Sequence, residues 1–127
     1  MKLRIRDNSV RLRLTQSEVT ALQSDGWVDA RTAFPGGREL GYRVESSPAS
    51  VKPEAFFSES VVTVRLPESD VLAWATSAQV SITAEQQLDS GELLSVLVEK
   101  DFACLAPRDD EDESDMFPHP QSARGGA

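Results

Sequence analysis

The chain has 127 residues, of which 21 are acidic and 13 are basic, so its formal net charge is −8. That balance argues against general nucleic-acid binding, which needs a basic surface, and the single cysteine excludes an intramolecular disulfide. No apolar run has the length of a signal peptide core or a membrane span. We therefore expect a cytoplasmic protein with no membrane partner.

The first fourteen residues alternate basic and apolar side chains, which is the period of a half-buried strand. Leu3 and Ile5 fall on one face of a first strand, and residues 9–14 repeat the pattern. Between the two runs, Asp7 and Asn8 suit a tight turn because both residue types tolerate positive φ. The pattern predicts a hairpin with an apolar inner face and a basic outer face.

A short helix is predicted directly after this hairpin. Thr15 and Glu18 have the spacing of a capping box, and Gly26 is the kind of residue at which helices end. A helix of about nine residues is too short to be stable alone. Val19 and Leu22 are therefore predicted to dock onto the sheet. Strands over residues 27–34 and 38–46 follow it.

An internal repeat accounts for most of the remaining chain. Residues 10–28 align without a gap to residues 62–80, and seven of the nineteen positions are identical. Each half then consists of strand, strand, helix, strand and strand, over residues 1–46 and 53–101. The identical pairs are Val10/Val62, Arg13/Arg65, Leu14/Leu66, Ser17/Ser69, Val19/Val71, Ala21/Ala73 and Val28/Val80.

These elements predict an α+β fold that is mainly antiparallel, with about eight strands and two short helices in one domain over residues 1–106. A closed or half-open barrel is favoured over two side-by-side layers, because closure removes exposed sheet edges. Residues 107–127 are an acidic tail that we predict to be disordered. Within that tail, residues 116–118 (Met-Phe-Pro) are alternatively a short docking element.

Seven cations are the candidate ligand-binding residues, for a phosphate-bearing ligand or an acidic partner segment. The alternative is a solvated outer face that discourages edge pairing. In the second half, the positions aligned with the five hairpin cations hold only one cation, so the scaffold does not require the other four. The candidates are Lys2, Arg4, Arg6, Arg11, Arg13, Arg31 and Arg43.

The sequence offers no catalytic, metal or cofactor motif. Cys104 lies in an apolar stretch typical of a buried thiol, and it and His119 are the only residues of their types, so zinc-ligand spacing is absent. The acidic run 109–115 lacks the glycine and ligand spacing of an EF-hand. It is predicted to be solvated, or alternatively to fold over the basic hairpin and compete with an anionic ligand.

Two resemblances bear on function. The opening MKLRIRDNSVRLRLTQSEV, the EKDFACL at residues 99–105 and the ending in FPHP resemble a family of small bacterial proteins of unknown function (a domain of unknown function), over essentially the whole chain. That resemblance implies no activity or ligand. Strand number and basic alternation are also similar to triphosphate-tunnel enzymes, although basic residues stand where those enzymes carry paired acids on their first strand.

Two functions are therefore considered from the sequence. The first is a small non-enzymatic binding or accessory protein, whose basic hairpin face takes an unknown protein or an anionic small molecule. The alternative is an enzyme that acts on a phosphorylated small molecule in a charged barrel interior. The enzyme requires the hairpin arginines to converge in a pocket with carboxylates such as Asp29 or Glu45.

Overall fold

A computed structural model of the chain describes residues 1–102 and 114–118. The helices are α1 (Gln16–Asp25) and α2 (Glu68–Ala75), and a 3-10 turn covers Pro35–Gly37. The strands are β1 (Lys2–Arg6), β2 (Ser9–Leu14), β3 (Trp27–Phe34), β4 (Arg38–Ser47), β5 (Glu54–Ser58), β6 (Val61–Pro67), β7 (Ser81–Gln87) and β8 (Leu93–Lys100). The predicted α+β class, with eight strands and two helices, is confirmed.

The strands form two four-stranded sheets, in the orders β1-β2-β8-β7 and β3-β4-β6-β5. Each sheet consists of two antiparallel hairpins joined by one parallel pair, β2 with β8 or β4 with β6. The two sheets are not closed into a barrel, so the structure has the two-layer alternative. The charged barrel interior that the enzyme hypothesis required is therefore not present in the described residues.

Each sheet takes one hairpin from each half of the chain. Exchanging β1, β2, β3 and β4 with β5, β6, β7 and β8, respectively, converts each sheet into the other, so the two halves have the same topological role. Equivalent hydrogen bonds support this correspondence, because Ser95 N–H donates to the Asn8 carbonyl at 2.9 Å and Gly41 N–H donates to the Ser60 carbonyl at 2.8 Å. The sequence repeat itself stays a prediction, and this symmetry of strand order is consistent with it.

The core lies between the two sheets and is closed at one end by the helices. The capping box forms at α1, where Glu18 accepts from Thr15 N–H at 2.9 Å, and Gly26 ends the helix with φ 88°. The predicted docking residues Val19 and Leu22 of α1 are buried, and so are Val71 and Trp74 at the aligned positions of α2. Burial of these apolar faces supplies the stability that such short helices lack by themselves.

A short segment of the acidic tail is docked at the helix end of the first sheet. The carbonyl of Asp115 accepts from Gln16 N–H at 2.9 Å, and Phe117 N–H donates to the carbonyl of Asp101 at 2.8 Å. Met116 is buried, and the Phe102 and Phe117 rings lie 5.9 Å apart. Residues 116–118, the docking element considered as an alternative, thus belong to a docked segment over residues 114–118, whereas residues 103–113 and 119–127 lie outside the described residues.

Candidate anion-binding groove

The β1–β2 hairpin places its five cations on the outer face of the first sheet. Asp7 has φ 48°, as the two-residue turn requires. In the resulting register, Lys2 lies opposite Arg13 and Arg4 lies opposite Arg11, with Arg6 beside the turn. Because side chains alternate along a strand, all five point away from the core.

Three of these cations have acidic partners nearby. Glu99 of β8 accepts from Arg13 Nε at 2.7 Å, and its same Oε1 lies 3.7 Å from Arg11 Nε. Lys2 Nζ lies 3.4 Å from Asp101 Oδ2. Neutralisation by these carboxylates lowers the cost of placing like charges opposite one another.

Arg4 and Arg6 are not neutralised in this way. Within residues 1–102 and 114–118, no carboxylate forms an ion pair with either guanidinium group. Arg4 also lies directly across the ladder from Arg11, whose nearest carboxylate oxygen is shared with Arg13. Like charges opposite one another destabilise a sheet, so this part of the face carries unbalanced positive charge.

The outer face of the first sheet is concave and forms a groove of about 550 Å³. Arg4, Arg6 and Arg11 line one wall, while Leu97 lies in the middle and Glu85 lies on the opposite wall. An anion would be held by the β1–β2 wall, since Glu85 would repel it from the β7 wall. Among the described residues, the groove therefore contains two guanidinium groups that form no ion pair and a third that is only partly neutralised.

The other two candidate cations lie in the second sheet and are not part of this groove. Arg31 Nη1 pairs with Glu39 Oε2 at 2.9 Å. Arg43 Nη1 lies 3.7 Å from Asp29 Oδ2, and its guanidinium stacks over Trp27 at 4.6 Å from the ring centroid. The structure thus brings together five of the seven candidates and separates Arg31 and Arg43 from them.

The carboxylates that the enzyme hypothesis required also lie in the second sheet. Asp29 is near Arg43, and Glu45 Oε1 lies 3.5 Å from Arg65 Nη2. Neither carboxylate lines the groove of the first sheet. Across the described ranges, no three His, Cys, Asp or Glu side chains come together as a metal site, and Cys104 and His119 lie outside those ranges.

Sequence reasoning missed two buried charged residues at the helix end of the first sheet. Lys100 is 6 % exposed, and its Nζ donates to the Ser77 carbonyl at 2.7 Å beneath the ring of Phe117. Burial lowers the pKa of Lys100 below the ordinary lysine value. Asp101 is 4 % exposed. The available signal was the alternation of β8, which places Lys100 on the same inward face as Val96 and Val98.

Comparison with known proteins identifies the family but no activity. Residues 1–121 match a family model described as Family of unknown function (DUF7009). No curated protein and no solved structure matches the chain. None of the described helices is long and apolar enough to cross a membrane.

Proposed function

Since the chain belongs to a family of unknown function, we propose its role from the groove: a non-enzymatic binding protein that holds an acidic segment of a partner. The observation that carries this proposal is the set of three guanidinium groups on one wall, of which Arg4 and Arg6 lack an ion pair in the described residues. Arginine suits this role because its planar fork donates two parallel hydrogen bonds to a carboxylate or a phosphate.

The repulsion between Arg4 and Arg11 supports binding over a purely structural role. Arg4 and Arg11 face each other across the β1–β2 ladder, and they have no need to do so for folding. The aligned positions of the second half hold Phe56 and Thr63, which form the same cross-strand pair between β5 and β6. An anion between the two arginines would turn this repulsion into two charge-assisted hydrogen bonds.

The form of the groove favours an extended partner over a small substrate. Its cations are spread along the β1 and β2 strands instead of converging on one atom. A partner segment with several carboxylates could meet several guanidinium groups together, as acidic motifs do on arginine clusters. Among the described residues, Arg31, Arg43 and Arg65 of the second sheet each have a carboxylate partner, so the outer face of the first sheet suits an acidic chain better.

A labelled octaglutamate peptide tests this proposal, with inorganic tripolyphosphate as a competitor. The double variant Arg4→Ser/Arg6→Ser should weaken peptide binding about fivefold, since each exposed charge pair contributes about 0.5 kcal/mol. The matched control Arg38→Ser/Lys52→Ser removes the same charge away from the groove and should change the affinity by less than about twofold. Equal losses in both variants, or no binding of either probe to the wild type, would overturn the proposal.

A further inference from the structure

We propose that the acidic partner segment binds as an added β-strand along Leu3–Ile5 on the edge of β1 opposite β2, extending the first sheet to five strands. This inference rests on the proposed function and specifies its partner: an extended chain that alternates acidic and apolar residues. Its acidic side chains would meet Arg4 and Arg6 on the outer face. Its apolar side chains would meet Ile5 on the inner face.

The edge of β1 offers hydrogen-bonding groups of a defined spacing. Within residues 1–102 and 114–118, β1 pairs with β2 on one side only, and it is the outermost strand of its sheet. The two-residue turn makes Arg6 and Ser9 a hydrogen-bonded pair, so alternate pairs along the ladder are bonded as well. Leu3 and Ile5 fall at the non-bonded pairs, and their N–H and C=O groups therefore point outward from the edge.

The equivalent edge in the second half is already occupied by a side chain. Gln86 of β7 accepts from Ala55 N–H at 2.7 Å and donates to the Ala55 carbonyl at 3.1 Å. Ala55 is the residue of β5 that aligns with Leu3, so this amide copies the bonds that an added strand would make. In β3, Thr32 takes the place of Gln86 by strand register, because it lies opposite Leu40 as Gln86 lies opposite Leu94. No hydrogen bond joins β1 to β3 in the described part of the chain.

The inner side of the same edge is apolar and incompletely covered. Ile5 is 56 % exposed although it lies on the core-facing side of β1. Beyond it, at the end of the sandwich away from the helices, Leu40, Leu94 and Phe57 line an apolar cleft of about 390 Å³ between the sheets. A strand added to β1 would direct every second side chain to the inner side of the sheet, beside Ile5 and towards this cleft. Apolar side chains would be removed from water there.

The other two edge strands, β7 and β3, are poorly suited to an acidic chain. On β7, Glu85 lies on the outer face and would repel it. On β3, the outward-facing residues include Asp29, and the nearby cations Arg31 of β3 and Arg43 of β4 are already held by Glu39 and Asp29. On β1, by contrast, every outward side chain is a cation. Charge complementarity therefore selects β1 among the edges, and it also prevents two copies of β1 from pairing with each other.

An alternating peptide, (Glu-Val)₄, and a block peptide of the same composition, Glu₄Val₄, distinguish strand addition from simple charge attraction. The alternating peptide should bind at least about tenfold more tightly, because only its side chains fit both faces of β1 in one register. Amide hydrogen exchange on the full chain provides the structural readout. Binding should slow exchange at the Leu3 and Ile5 amides and leave the Phe57 amide of β5 unchanged.

A proline scan provides the matched variant. Ile5→Pro removes an outward N–H that β2 does not use, and edge strands tolerate proline at such positions; it should abolish binding of (Glu-Val)₄. Phe57→Pro makes the equivalent change on β5 and should leave binding intact. If octaglutamate binds but the two peptides bind equally and the Leu3 and Ile5 amides gain no protection, strand addition is wrong and the anion-binding groove stands. If no acidic probe binds, both proposals are wrong.

Discussion

The β1–β2 and β5–β6 hairpins have the same geometry but different chemistry. In β5–β6 the outward charges are balanced, since Arg65 lies between Glu45 and Glu54 and stacks over Phe56 at 4.9 Å. In β1–β2 the aligned positions are nearly all cations, and Arg4 and Arg6 lack such partners among the described residues. The difference separates the residues that both hairpins share from the cations that we propose for binding.

The inner faces of the two hairpins should be equally important for folding. Leu14 and Leu66 are identical residues at aligned positions, and both are fully buried. We expect Leu14→Ala and Leu66→Ala each to lower the free energy of unfolding by about 2 to 5 kcal/mol, through lost burial and the cavity left behind. Urea denaturation measures both. A loss at only one site would show that the two hairpins do not share the core equally.

The hydrogen bonds between the Gln86 side chain and the edge of β5 should contribute to the stability of the fold. Gln86→Ala leaves the Ala55 N–H and carbonyl without their partners, and we expect a loss of about 1 to 2 kcal/mol. Thr32→Ala at the aligned position should cost less than about 0.5 kcal/mol. Thermal unfolding of the two variants measures the difference. Equal losses of stability would mean that Gln86 does not stabilise the β5 edge more than Thr32 stabilises the β1 edge.

Removing an arginine from the outer face should have opposite effects on the free energy of unfolding in the β1–β2 and β5–β6 hairpins. Arg4→Thr relieves repulsion with Arg11 and should raise the free energy of unfolding by about 0.2 to 1 kcal/mol. Arg65→Thr removes a cation held by two carboxylates and should lower it by about 0.5 to 1 kcal/mol. Both effects should shrink when denaturation is repeated at high salt. Destabilisation by Arg4→Thr would indicate a structural role for that residue.

The docked tail segment contacts the start of α1, so α1 can be compared with α2. Hydrogen bonds from the Ser17 and Thr15 side chains hold the pKa of Asp115 below its ordinary value. This docking contribution is therefore present above the unfolded pKa of about 3.8 and is lost as the pH falls through the lower, folded value. Ser17→Ala should speed hydrogen exchange at the Phe117 amide, while Ser69→Ala, its counterpart in α2, should not.

Local patterns in the sequence predicted the hairpins and helices correctly, because caps, turns and alternation act over a few residues. The predicted strands over residues 27–34 and 38–46 differ from the structure by at most one residue. The parallel pairing of β2 with β8 was not predictable, because alternation defines each strand's faces and not its neighbour. For the same reason Arg31 was grouped with the hairpin cations although it lies in the other sheet.

The docked tail segment shows a second limit of sequence reasoning. Its acidic composition favours disorder. Two apolar residues nevertheless pack onto the domain: Met116 is buried and Phe117 contacts the core, through residues that are distant from them in the sequence. Such contacts depend on the gap that the fold leaves beside Phe102 and Lys100. The isolated apolar pair in an acidic run was the signal that a docking site exists.

The arginine side chains themselves provide the most direct test of the central claim, that the β1–β2 face holds an acidic partner. Arginine Nε–H resonances can be followed by NMR while octaglutamate is titrated into the full chain. The Nε–H signals of Arg4, Arg6 and Arg11 should shift together and saturate, while that of Arg31 stays in place. Shifts confined to the second sheet, or no saturable shift at any arginine, would contradict the account.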